Sequence, residues 1–65
     1  MKLIVNGETT TVEATTLSSL LEEMEFSGDW LATAVDGELV AAEDRDAFLL
    51  KEGQRVEILS PMQGG

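Results

Sequence analysis

The chain contains no cysteine, no histidine and no tyrosine, and only one proline, one tryptophan and two phenylalanines. Without cysteine there can be no disulfide framework, no thiolate metal site and no thiol nucleophile. Without histidine the usual general base near neutral pH is missing, as is the commonest metal ligand. Positive charge is scarce too: four basic residues against thirteen acidic ones give a net charge of −9. That balance repels nucleic acid and anionic membranes. No apolar run approaches the roughly 18 residues of a membrane span. The opening Met1-Lys-Leu-Ile-Val5 is too short in its apolar part to serve as a secretory leader. These absences point to a cytoplasmic protein, and they argue against a self-sufficient enzyme, a metal protein, or a binder of nucleic acid or membrane.

What remains suits one small globular domain. At 65 residues the chain lies near the lower limit for folding without covalent or metal staples, hiding about 60% of its unfolded surface. An apolar fraction of 43% is nonetheless that of a packed domain and not of a disordered chain. The acidic excess has two readings, solubility and steering toward a basic partner surface, the latter acting on association rate more than on final affinity.

The local pattern predicts a β-hairpin first. Lys2-Leu-Ile-Val5 is apolar and β-branched, Asn6-Gly7 is a two-residue hairpin signal, and the Thr-rich Glu8 to Glu13 follows as a second strand. Alternation puts Met1, Leu3 and Val5 on one face and Ile4 on the other, making Ile4 a candidate exposed apolar residue. Either Thr15 or Thr16 can cap a helix whose Leu17, Leu20, Leu21 and Met24 form an apolar stripe. Gly28 marks its stop. Trp30 to Val35 reads as a third strand, with Trp30 as core or sheet-edge filler and Ala32 and Ala34 small enough to let the helix approach. Asp36-Gly37 is a second tight turn into Glu38-Leu-Val40. Ala41 to Leu50 is mixed, with a short turn or helix near Glu43 to Asp46 and with Phe48 and Leu50 buried. Arg55 to Leu59 is a last strand, Val56 and Ile58 inward, Glu57 and Leu59 outward.

A hairpin followed by a helix implies one sheet with the helix across a single face. If the first and last strands pair in parallel at the centre, the fold is a β-grasp. The expectation is therefore an α+β domain over residues 1–60, a mixed sheet of four to five strands with one main helix, followed by a flexible tail over residues 61–65. That tail ends in Gly64-Gly65. Lacking Cβ atoms, the pair can enter a slot too narrow for any side chain, which offers the Gly65 carboxylate to another protein's active site. From Ser60 to Gly65, at about 3.3–3.6 Å per residue, the extended reach is roughly 20 Å. Pro61 has a fixed φ and no N–H, so it ends sheet pairing at the tail root. Leu59 and Met62 are candidate apolar contacts to partners.

Taken in order, Asn6-Gly7, the Thr16-Leu17…Leu20-Leu21 helix start, Ala34-Val-Asp-Gly-Glu-Leu-Val40, Leu50-Lys-Glu-Gly-Gln-Arg-Val-Glu-Ile-Leu59 and Gly64-Gly65 resemble the ThiS family. These are the small ubiquitin-like sulfur carriers of bacterial thiamine biosynthesis. Three positions depart from the family pattern: Asp36 stands where Asn is usual, Val40-Ala41-Ala42 replaces a common Val-Pro-Arg, and Gly53-Gln54 replaces Gly-Asp. By the resemblance the chain is a carrier acted on by enzymes, binding no cofactor itself. A ThiF-like adenylating enzyme would use ATP and magnesium to convert the Gly65 carboxylate to an acyl-adenylate, with Gly64 required for access. A sulfur relay protein would replace AMP to leave a thiocarboxylate, and a ThiG-like thiazole synthase would consume the sulfur. Three other readings share the same pattern: a MoaD-like small subunit of molybdopterin synthase, a ubiquitin-like protein modifier, and an interaction module with an idle tail.

Overall fold

Two hairpin turns, each with a glycine, decide where paired strands reverse. The computed structural model describes residues 1–27 and 30–60. In it Asn6 and Gly7 take φ of 50° and 86°, the left-handed pair that a two-residue hairpin of matched twist demands. They join β1 (Lys2–Val5) to an antiparallel β2 (Glu8–Thr11), with Val5 opposite Glu8. Asp36 and Gly37, at 51° and 85°, repeat the solution between β3 (Ala32–Val35) and β4 (Glu38–Val40). Both turns fall where their dipeptides predict.

The last strand, β5 (Arg55–Leu59), inserts between the two hairpins to give the order β2-β1-β5-β3-β4. It runs parallel to β1 and antiparallel to β3. Parallel neighbours need a long crossover, and the connection between β1 and β5 carries the helix α1 (Leu17–Glu23). This is the β-grasp arrangement, with five strands and one helix on one face.

Helix α1 starts at Thr16 through a reciprocal cap. The Thr16 hydroxyl accepts the Ser19 N–H at 3.1 Å, while the Ser19 hydroxyl accepts the Thr16 N–H at 3.1 Å. Two orphan donors of the first turn are thereby satisfied. Leu17, Leu20 and Leu21 bury the predicted stripe against Leu3, Val5, Val56 and Ile58, and Met24 closes the helix half-buried. A carboxylate in the last turn opposes the helix dipole. Glu23 offsets this by accepting the N–H groups of Glu13 and Ala14, at 3.1 and 2.9 Å, on the chain entering the helix.

Four expectations about the second half need correction or fall elsewhere. The third strand begins at Ala32 and not at Trp30, and Trp30 is 67% exposed, so it fills neither core nor edge. Ala32 and Ala34 do not admit the helix. Thr33 and Val35 stand opposite the inward Ile58 and Val56, so the alanines point to the helix-free face. Phe48 is half-buried at the core margin and not enclosed like Leu50. The helix stops well before Gly28: it ends at Glu23, and Glu25, at φ 65°, takes the left-handed conformation expected of that glycine, which itself lies outside the described residues.

Thr33 is an unexpected inward residue because Arg45 comes in with it. Arg45 follows a 3₁₀ turn (Ala42–Asp44) and is only 7% exposed. Its Nε donates to the Thr33 hydroxyl at 3.0 Å and its Nη2 to the Leu31 carbonyl, while the Thr33 hydroxyl donates to Val40 O at 2.8 Å. The chain thus ties the 41–50 segment to β3 and β4 with one cation held by neutral oxygens. Among the described residues no buried side-chain polar atom lacks a partner. Replacing Arg45 by Leu would strand those acceptors, and we expect a loss of about 1–3 kcal/mol of folding stability. The midpoint of urea denaturation checks this, and an unchanged midpoint would show that Arg45 is dispensable.

Candidate functional site

Because α1 covers one side of the sheet, no other described element lies over the opposite side, and the strand register says what that side displays. Ala34 lies between Leu39 of β4 and Glu57 of β5, and Ala32 lies beside Leu59. Two alanines flanked by long neighbours leave a shallow groove lined by Ala32, Ala34, Leu39, Glu57 and Leu59. Leu39 is 86% exposed and Leu59 is 67% exposed. Large aliphatic side chains this open on adjacent strands form a patch of the kind that marks interaction surfaces.

Charge is distributed unevenly around this groove. Lys2 and Arg55 share the outward parity of Ile4, and they are two of the four basic residues in the chain. Among the described residues Glu57 is the only acidic strand residue on the same face, since Glu8 and Glu38 pair with the inward-facing Val5 and Val35. The acidic excess therefore lies mostly off the face. A near-neutral apolar centre with an acidic surround costs little to desolvate while still attracting a basic partner at a distance. Association with such a partner should slow as ionic strength shortens the Debye length to about 8 Å and below. Stopped-flow rates across a salt series test this, and a flat series would leave solubility as the role of the charge.

The end of β5 is pinned from the side. The Asn6 amide acts as a short strand surrogate: its Oδ1 accepts the Ile58 N–H at 2.8 Å, and its Nδ2 donates to the Ile58 carbonyl at 3.2 Å. The same residue thus turns the first hairpin and clamps the strand one residue before Leu59. Asp36 does comparable work at the other end, accepting the Arg55 N–H at 3.0 Å and a hydrogen from the Gln54 amide at 3.3 Å. The departure from Asn at position 36 therefore keeps the turn conformation and adds a carboxylate acceptor at the start of β5. Replacing Asn6 by Gly preserves the turn and removes only the clamp. We expect the Ile58 amide to exchange with solvent at least tenfold faster, consistent with a loss of about 1.4 kcal/mol or more of local protection. Hydrogen exchange by NMR reads this directly, and unchanged protection would dismiss the clamp.

Of the residues singled out from sequence, Leu59 is exposed beside the groove. Ile4 is half-buried on the same sheet face. It stands opposite Arg55, four positions before Leu59 along β5, so about 13 Å separates the two. The structure does not bring them together. Met62, Gly64 and Gly65, with Pro61, lie outside the described residues. The residues that sequence reasoning missed are Leu39, Ala32 and Ala34 in the groove and Asn6 as the clamp on β5. A signal existed for three of them: a two-residue turn at Asp36-Gly37 forces Ala34 to face Leu39, and the inward pair Val56 and Ile58 then fixes their side.

The order and pairing of the strands place the chain among the ubiquitin-like β-grasp proteins. The model of the ThiS family matches residues 3–65. A crystal structure of the thiamine biosynthesis protein ThiS from Geobacter metallireducens superposes with a TM-score of 0.84 at 32% identity, covering 100% of both chains. A solution structure of a thiamine biosynthesis protein from the same organism gives 0.82 at 32% identity, covering 100% of this chain and 88% of that one. Both determinations are of one target, so they count as a single relative. No curated protein sequence matches significantly. The chain belongs to the ThiS family.

Proposed function

We propose that this chain is a sulfur carrier for thiazole formation in thiamine biosynthesis, with the C-terminal carboxyl of Gly65 as the group that is loaded. The observation that carries this is the extent of the family match, which runs from β1 through the glycine pair to residue 65. It favours the thiazole branch over a MoaD-like or modifier role. Residues 1–60 serve as the recognised body and 61–65 as the arm.

A carboxylate is a poor electrophile because its charge is delocalised and its leaving group would be oxide. A ThiF-like enzyme holding ATP and magnesium supplies the missing leaving group by forming the acyl-adenylate and releasing pyrophosphate. The terminal sulfur of a cysteine persulfide on the relay protein then attacks the acyl carbon and expels AMP. A second thiol attacks the resulting sulfur–sulfur bond, takes the relay cysteine into a disulfide, and frees the thiocarboxylate. A ThiG-like thiazole synthase takes up that sulfur and returns the carboxylate. None of these steps asks for a catalytic side chain on the carrier. They ask for reach, and the segment from Ser60 to Gly65 supplies roughly 20 Å when extended. Leu59, Met62 and Ile4 are contacts for the partner enzymes, and the setting is the cytoplasm.

Incubation with the adenylating enzyme, ATP and a persulfide donor should change the intact mass by one oxygen-to-sulfur exchange. Deleting Gly65 should abolish that change and leave thermal unfolding as it was. A truncated protein that is loaded equally well would end the carrier reading.

A further inference from the structure

We propose that Trp30 is an anchor for the enzyme that adenylates Gly65, seated beside the root of the tail. The inference rests on the sulfur-carrier reading and adds a residue that its chemistry does not name. Three observations converge on it. Ala32 of β3 pairs antiparallel with Leu59 of β5, so residues just before Ala32 lie next to the point where the chain leaves the sheet. Trp30 is two positions before Ala32 and is 67% exposed. Ala32 and Leu59, the groove residues nearest Trp30 along the chain and across the β3–β5 pairing, line an apolar groove with Leu39 on the helix-free face.

The length of the arm limits how far from Ser60 the occupant can stand. An enzyme that acts on Gly65 must bring its catalytic site within roughly 20 Å of Ser60. Its rim then comes close to this end of β3 and β5, and among the described residues Trp30 is the largest exposed side chain within two positions of the Ala32–Leu59 pair. A tryptophan brings about 150–250 Å² of surface and an N–H donor at low conformational cost. Such residues dominate binding energy when a partner supplies a recess. The occupant is therefore a protein with an apolar recess flanked by basic groups, matching the near-neutral centre and the acidic surround described above.

The test is carrier-dependent ATP–pyrophosphate exchange by the ThiF-like enzyme of the same cell. Trp30→Ala should raise KM for the carrier about tenfold or more with kcat unchanged, as expected for loss of a binding hot spot. Trp30→Phe should recover part of the affinity. Leu49→Ala should change nothing, because Leu49 is equally open at 68% exposure but bridges Thr16 at the start of α1, on the helix side. Thermal melting of Trp30→Ala should match the parent. Equal KM for Trp30→Ala and the parent overturns the anchor, as does a lowered melting temperature without a change in KM. A parent that self-associates through Trp30, seen by sedimentation, overturns it in favour of a second copy as occupant. No exchange with the parent itself sinks the carrier reading, and the anchor falls with it.

Discussion

The parallel pairing of β1 with β5 is the constraint on which the rest of this molecule depends. Ile4 stands opposite Arg55 and Val5 opposite Val56, and backbone bonds from Ile4 N to Gln54 O and from Asn6 N to Val56 O lock them at 2.9 Å. Parallel neighbours cannot be joined by a tight turn. The first and last strands therefore meet only after the chain has made α1 and a second hairpin. Leu3, Leu17, Leu20 and Val56 are fully enclosed where helix and central strands meet. One helix covers one face, and nothing among the described residues covers the other. The exit of β5 at Ser60, and hence the root of the arm, is placed by this same pairing.

Two unlike surfaces follow from that layout. Glu8 and Glu38 face the helix side of the sheet and Glu22 and Glu23 lie on the helix, whereas the open sheet face carries Leu39, Leu59 and two alanines with Lys2, Arg55 and Glu57 around them. Long-range attraction and short-range contact are thereby assigned to different parts of a very small body. On the proposed carrier role, this division suits a protein that enzymes must find quickly and release, since net charge acts on encounter rate and a modest apolar patch on residence time.

Much of the fold was legible because it is encoded by short-range rules. Asn6-Gly7 and Asp36-Gly37 name their turns through positive φ, the leucine spacing from Leu17 to Leu21 names the helix face, and alternation along Arg55 to Leu59 names the inward pair. Reading the site was less complete. Alternation places both Leu59 and Ile4 outward, but it does not reveal that Ile4 is half-buried and stands beside Arg55, well away from Leu59. The small size of the β3 alanines suggests close approach of the helix, but size is silent on which side of the strand they occupy. Trp30 and Arg45 reversed the usual preferences, one large aromatic outside and one cation inside. Residue type predicts burial only on average, and each exception here depends on a neighbour distant in sequence.

By itself, then, the sequence determined the turns, the helix and its buried stripe, the inward and outward residues of the last strand, and the family to which the chain belongs. All of these arise from interactions between residues a few positions apart or from their order along the chain. Only the tertiary structure decided that Leu39 and Leu59 would flank the same pair of alanines, that Asn6 would clamp Ile58, and that Arg45 would be sheltered by Thr33 and Leu31. Those outcomes require strands far apart in sequence to come into one register. Register is set by the whole core closing at once, not by any local run of residues.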